Sequence, residues 1–146
     1  MLPAVYFYHN ARSPLQFACG RIEHAWQRGR KIAVLCEDDE QAHALDRLLW
    51  TFDPGSFIPH VLHDSALARR SPVVIGSAGA SPVWPWHDVL FNLSSGTETA
   101  SPAFRLIVDI VGLGDHARLP ARQRWRAYQA QGCELKALDA AREIMR

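Results

Sequence analysis

The sequence predicts an α/β fold: a three-layer α/β/α sandwich built on a mainly parallel sheet. Three observations carry this. Residues 4–8, 31–36, 73–75, 89–93 and 105–111 are short, almost wholly apolar runs, the pattern of strands covered on both faces. An amphipathic helix stands between the first two runs, which makes a βαβ unit. With 146 residues, 48% hydrophobic and 21% charged, the chain has the composition of one soluble globular domain, residues 1–146, with enough apolar material for a core.

Each element has its own signals. Ala4-Val5-Tyr6-Phe7-Tyr8 is aromatic and β-branched, and His9-Asn10 ends it. Ser13-Pro14 reads as an N-cap followed by proline at the first helical position. Leu15, Cys19, Ile22 and Trp26 then fall on one helical face, and Gly29 stops the helix. The apolar strand 31–36 follows. Glu37-Asp38-Asp39-Glu40 is acidic where a helix N-terminus belongs, which suits the helix dipole. Ala42, Leu45, Leu48 and Leu49 form the buried stripe of that helix, and Asp53-Pro54-Gly55 closes it. Pro59 confines the strand candidate at 57–62 to an edge or a strand end. Residues 63–72 read as loop or short helix, 76–82 as small-residue loop, and 94–101 as loop. Leu119-Pro120 opens a last helix that runs to about Ala130, with Gly132 just beyond. The last fifteen residues are compatible with helix or irregular tail.

Composition excludes several function classes. The formal net charge is +1, so no overall basic field holds duplex DNA or an anionic membrane. No apolar run approaches the roughly 18 residues needed to span a bilayer, and the N-terminus has no secretion-signal pattern. Three cysteines, Cys19, Cys36 and Cys133, fit a reduced cytoplasmic protein better than a disulfide scaffold. The average conceals an asymmetry: residues 118–146 hold 7 Lys+Arg against 3 Asp+Glu, a local anion-binding face.

Most candidate chemistry has a plainer reading beside it. The acidic run 37–40 suits a divalent cation or simply a helix start. His60 and His63 have a spacing metal ligands use, but residues three apart on a strand face opposite ways. Cys36 ends an apolar strand beside a carboxylate, which disfavours its thiolate. Gly76-Ser77-Ala78-Gly79 lacks the GK[ST] ending of a phosphate loop, and no glycine-rich turn follows the first strand. The architecture is that of a nucleotide-binding fold without its phosphate loop. A small nucleotide hydrolase would need that loop and a placed base, so no catalytic residue, cofactor or metal is expected.

Arg118, Arg122, Arg124, Trp125 and Arg126 form the most informative cluster. Guanidinium forks beside an aromatic edge suit an acidic peptide with an apolar anchor. They also suit single-stranded nucleic acid, through stacking and phosphate contacts, or a plain amphipathic helix with Trp125 in the core. Trp50, Phe57 and their neighbours around a Pro-Gly turn read equally as core or as an exposed docking patch.

At this point the residues resemble a known family, the chi subunit of the bacterial DNA polymerase III holoenzyme. The resemblance lies in Gly29-Arg30-Lys31 leading into Val34-Leu35-Cys36-Glu37-Asp38, then Leu45-Asp46-Arg47-Leu48-Leu49-Trp50 and Phe57-Ile58-Pro59-His60. Asp88-Val89-Leu90-Phe91-Asn92-Leu93 and Arg124-Trp125-Arg126-Ala127-Tyr128 follow in the same order. Residues 63–84 and 94–104 lie outside it.

The resemblance implies a non-catalytic accessory protein of DNA replication, with an α/β/α sandwich fold and a cytoplasmic location. It implies two partners. The psi subunit of the clamp-loader complex would sit on Trp50 and Phe57, with Pro59 and His60 beside them. The acidic, Pro-Phe-ending C-terminal tail of single-stranded-DNA-binding protein would sit on Val111, Arg118, Arg122, Trp125 and Arg126. DNA would be reached only indirectly, and no membrane is involved. Trp125 stands where some relatives have tyrosine, so the pocket loses a hydroxyl and gains ring area. Direct binding of single-stranded nucleic acid by the same basic helix is the alternative.

Overall fold

The computed structural model describes residues 2–143. Seven strands form one parallel sheet: β1 (Ala4–Ala11), β2 (Ile32–Cys36), β3 (His60–Leu62), β4 (Val73–Ser77), β5 (Val89–Asn92), β6 (Leu106–Gly112) and β7 (Glu134–Asp139). Their spatial order is β3-β4-β2-β5-β6-β1-β7, and every pairing is parallel. The α/β class and the sandwich are as the sequence predicts. The inner strands β4 and β5 are buried along their whole length, which is why they read as unbroken apolar runs. The strand after Pro59 is the edge strand β3, where a missing amide does least harm.

Helices α1 (Pro14–Gln27) and α2 (Asp39–Thr51) cover one face. Their core joins Phe17, Ile22, Leu45 and Leu49 to Val34, Ile75, Phe91 and Val108 of the sheet. The other face carries α3 (Asp115–Gln131), packed with Val5, Phe7, Ile107, Ala121 and Tyr128. Among the described residues, no long helix covers β2 and β5 on that side. Phe104, Trp84 and Trp86, from irregular segments, pack there instead. Gly76 belongs to this arrangement: a Cβ on it would meet Pro82 at 2.9 Å and Trp84 at 3.0 Å. Its glycine admits the aromatic segment, and no phosphate cradle is needed to explain it.

Three details differ from the sequence reading. The last long helix begins at Asp115, not at Leu119-Pro120. Pro120 lies inside its second turn, where it has no amide to donate to the His116 carbonyl and its ring crowds that carbonyl. The helix does end where expected. Gly132 adopts φ +88°, and the Gly132 and Cys133 amides donate to the Gln129 and Tyr128 carbonyls, a left-handed cap that only glycine adopts cheaply. The chain then turns back into β7, an edge strand over 134–139, followed by a short helix α4 (Ala140–Glu143). β7 mixes half-buried and exposed residues without a regular period, and none of its residues is buried, so it lacks the continuous apolar signal of the inner strands. Finally, β1 continues past Tyr8 through an extra residue. Tyr8 pairs with Ile110 and Ala11 with Gly112, so three steps on β1 oppose two on β6, a bulge. Among the described residues, no helix is long and apolar enough to cross a membrane.

Candidate functional site

The β1 bulge builds one wall of a cleft. It places Asn10 at φ +63°, a left-handed conformation that asparagine tolerates better than most residues. Its Oδ1 accepts from Arg118 Nη2 at 3.4 Å. Arg118, Arg122 and Trp125 follow at i, i+4 and i+7, one stripe of α3. With Phe7, His9, Asn10, Val111, Ala121 and Ala137 they line a cleft of about 290 Å³. Its floor is apolar: Val111 and Ala121 are buried, and the Trp125 ring meets Phe7 edge-on at 5.2 Å. Arg122 is exposed at the rim. Four of the five residues named for this site therefore lie together. Arg126 is exposed one turn further along and does not line the cleft. Two guanidinium groups above an apolar floor can hold a carboxylate while the floor takes an adjoining apolar side chain.

Arg124, which the sequence groups with these cations, has a different role. It is 3% exposed beside a fully buried Asp109. Its Nε and Nη2 donate to the two Asp109 oxygens, each at 2.8 Å. Nη1 donates to the Gly96 carbonyl at 2.6 Å, and Asn92 Nδ2 donates to Asp109 at 3.2 Å. This bidentate pair pins α3 to β6 and ties down the 94–98 segment. Burial pushes the Asp109 carboxyl above its ordinary range, and the bonds from Arg124 and Asn92 oppose that push. Sequence reasoning missed the network. Its visible trace is an aspartate in the middle of the apolar run 105–111, which demands a buried partner.

The aromatic patch lies elsewhere, at the end of α2. Trp50 and Phe57 are 48% and 66% exposed, with ring centroids 5.5 Å apart. His60 sits beneath, its ring 4.3 Å from that of Trp50. His60 is buried: Nδ1 lies 2.7 Å from the Ile58 carbonyl oxygen and Nε2 2.9 Å from that of Asp46. It props Trp50 from below instead of presenting itself at the surface, while Pro59 is half-buried beside it. With both ring nitrogens against carbonyl oxygens, His60 is also unsuited to share a metal with His63.

The remaining candidates resolve into structure. Asp38 caps α2, its Oδ1 accepting from the Gln41 amide at 2.8 Å. The Gln41 side chain accepts from the Glu37 amide at 2.7 Å, and Ser77 Oγ donates to Asp39 at 2.6 Å. Cys36 is buried, and desolvation, with Asp38 nearby, pushes its thiol up to about 12, so it is a poor nucleophile. Among the described residues, no group of three or more His, Cys, Asp and Glu is placed to hold a metal ion.

The family model of the DNA polymerase III chi subunit, HolC, matches residues 2–136. A DNA polymerase III subunit chi from Haemophilus influenzae is 32% identical over 120 residues, covering 82% of this chain and 83% of that protein. The one from Escherichia coli is 31% identical over 126 residues, covering 82% and 81%. The one from Pseudomonas aeruginosa is 33% identical over 122 residues, covering 84% and 83%. Among solved structures, S. cerevisiae Dbp5 bound to RNA and ADP BeF3 matches with a TM-score of 0.59 at 12% identity. That match covers 95% of this chain and 42% of the longer one. A likeness at that identity speaks for the α/β fold alone.

Proposed function

From the premise that the chain belongs to the DNA polymerase III chi subunit family, we propose that it is a non-catalytic bridge within the replication machinery. One end binds the acidic C-terminal tail of single-stranded-DNA-binding protein, and the other binds the psi subunit of the clamp loader. The observation that carries the first half is the cleft under α3. Arg118 and Arg122 stand over an apolar floor of Phe7, Val111 and Trp125. A tail ending in Pro-Phe brings a terminal carboxylate for the arginines and a ring for the floor. Its acidic residues, further from the end, reach Arg126 along the exposed side of α3.

The second half rests on the exposed Trp50–Phe57 pair. Tryptophan and other aromatics dominate the energetics of protein interfaces, and His60 fixes Trp50 before any partner arrives, which lowers the ordering cost. The surface of α3 serves the acidic tail better than a nucleic acid strand, because Arg118 and Arg122 stand over one small apolar floor that fits a single side-chain anchor.

The test is a titration of the protein with a fluorescent tail peptide, beside a copy lacking the terminal Phe. The full peptide binds in the micromolar range, on the order of −8 kcal/mol, and the truncated copy binds far more weakly. Equal binding of both would place the interaction on charge alone and refute the pocket assignment.

A further inference from the structure

The histidine beneath the Trp50–Phe57 patch has surroundings that fix its proton count. His60 is buried. Its Nδ1 lies 2.7 Å from the Ile58 carbonyl oxygen. Its Nε2 lies 2.9 Å from the Asp46 carbonyl oxygen and 3.3 Å from Asp46 Oδ1. Carbonyl and ionised carboxylate oxygens accept hydrogen bonds and have no proton to give. A neutral imidazole has one N–H and one lone pair, so one of its nitrogens would face an oxygen lone pair to lone pair. The imidazolium has two N–H groups and donates on both sides. Burial opposes a charge, but here the carbonyls replace water and Asp46 supplies the countercharge.

A second observation lies in α2. A helix gathers partial negative charge at its C-terminus, yet the last turn of α2 carries no basic side chain. In an α-helix the carbonyl of residue 46 accepts from the amide of residue 50. His60 Nε2 reaches that same Asp46 carbonyl from outside the helix. The imidazolium thus supplies a cation near the end of α2, at the carbonyl that anchors the Trp50 backbone. Its ring centroid lies 4.3 Å from that of Trp50, within the range of a cation–π contact. From α2 the titratable group that faces His60 is Asp46. From β4 its register partner is the apolar Val73.

We propose that His60 is a proton-dependent positioning residue for the aromatic docking surface. As the imidazolium it joins Ile58 to the end of α2 and holds Trp50 in the orientation that meets a partner. On losing a proton it turns one carbonyl contact from attraction to repulsion and loosens Trp50. Association at the patch therefore strengthens on acidification and weakens as the pH rises. The identity of the partner rests on the reading of Trp50 and Phe57 as the psi surface. The coupling of His60 to Trp50 does not.

The first measurement needs no partner. Nitrogen-15 NMR of the full chain counts the protons on the His60 ring between about pH 5 and pH 9, and the Trp50 indole is followed in the same samples. The ring carries two N–H groups at the acid end and loses one as the pH rises, and the Trp50 signal moves in step with it. Asp46→Asn, at a half-buried helical position, brings both changes to lower pH, because the carboxylate favours the charged ring. Psi is then titrated by calorimetry. Its affinity falls about fivefold across the range in which the ring loses its proton, the worth of one ordinary hydrogen bond. In His60→Gln, which keeps a donor but has no proton to lose, that fall is absent. Three results would overturn the proposal: a proton count on His60 that stays constant over the range, a His60 titration that leaves Trp50 unmoved, or the same pH dependence of psi binding in His60→Gln as in the unaltered chain. Should His60→Gln not fold, Asp46→Asn carries the same test, its psi profile moving to lower pH with the ring. Failure of psi to bind at any pH would refute the bridge reading, and the joint titration of His60 and Trp50 would still decide this one.

Discussion

The α3 cleft and the Trp50–Phe57 patch are built on opposite principles. The cleft is concave and lined by cations over an apolar floor. The patch is two exposed rings propped by a buried histidine. One suits a short charged peptide with a single anchor, the other a partner that buries aromatic surface. The difference teaches where each site draws its rigidity. The cleft depends on a buried ion pair that fixes a whole helix, Arg124–Asp109. The patch depends on one imidazole held by the Ile58 and Asp46 carbonyls and the Asp46 carboxylate.

The largest effect comes from attacking that ion pair. Arg124→Met leaves the Asp109 carboxylate buried and unpaired and destabilises the fold by about 3–5 kcal/mol, read by urea denaturation. Asp109→Leu with Arg124→Met destabilises less than Arg124→Met alone, because no charge is stranded. A double variant as unstable as the single one would assign the loss to packing instead. Next, Trp50→Ala weakens association with psi by about 2 kcal/mol or more and leaves tail binding unchanged, measured by calorimetry with each partner. Arg122→Ala follows. It weakens the tail about tenfold, by removing a charge-assisted bond, while stability stays within about 0.5 kcal/mol. If Arg122→Ala melts the fold, the residue belongs to the frame and not to the site. The smallest effect is that of salt. Added salt weakens the tail only partly, because the anchor is apolar, and leaves the aromatic patch almost untouched.

The legible parts of the sequence were those where one signal decides. Inner strands buried on both faces announce themselves as unbroken apolar runs, Pro14 marks a helix start although Ser13 makes no side-chain cap bond, and Gly29 and Gly132 mark helix ends by their positive φ. β7 was not legible, because Glu134 and Lys136 on an edge strand face solvent and give neither the run nor the alternation of a strand. The early start of α3 was hidden by Pro120, which reads as a first-turn residue but lies further in. For the cleft, Arg118, Arg122, Trp125 and Val111 were legible as a group. Asn10 and Phe7 were not, since they come from β1, far from α3 in sequence, and Asn10 enters through a bulge that no local pattern signals. Arg124 looked like its neighbours because helical position alone does not reveal which arginine meets a buried aspartate.

The claim at the centre of this account is that two separate surfaces make one bridge. It is tested most directly by titrating the tail peptide onto the protein alone and onto the protein saturated with psi. The account predicts the same affinity in both, weakened about tenfold by Arg122→Ala and kept with Trp50→Ala when psi is absent. Displacement of the peptide by psi, or joint loss of both partners in either variant, would contradict it and merge the two surfaces into one.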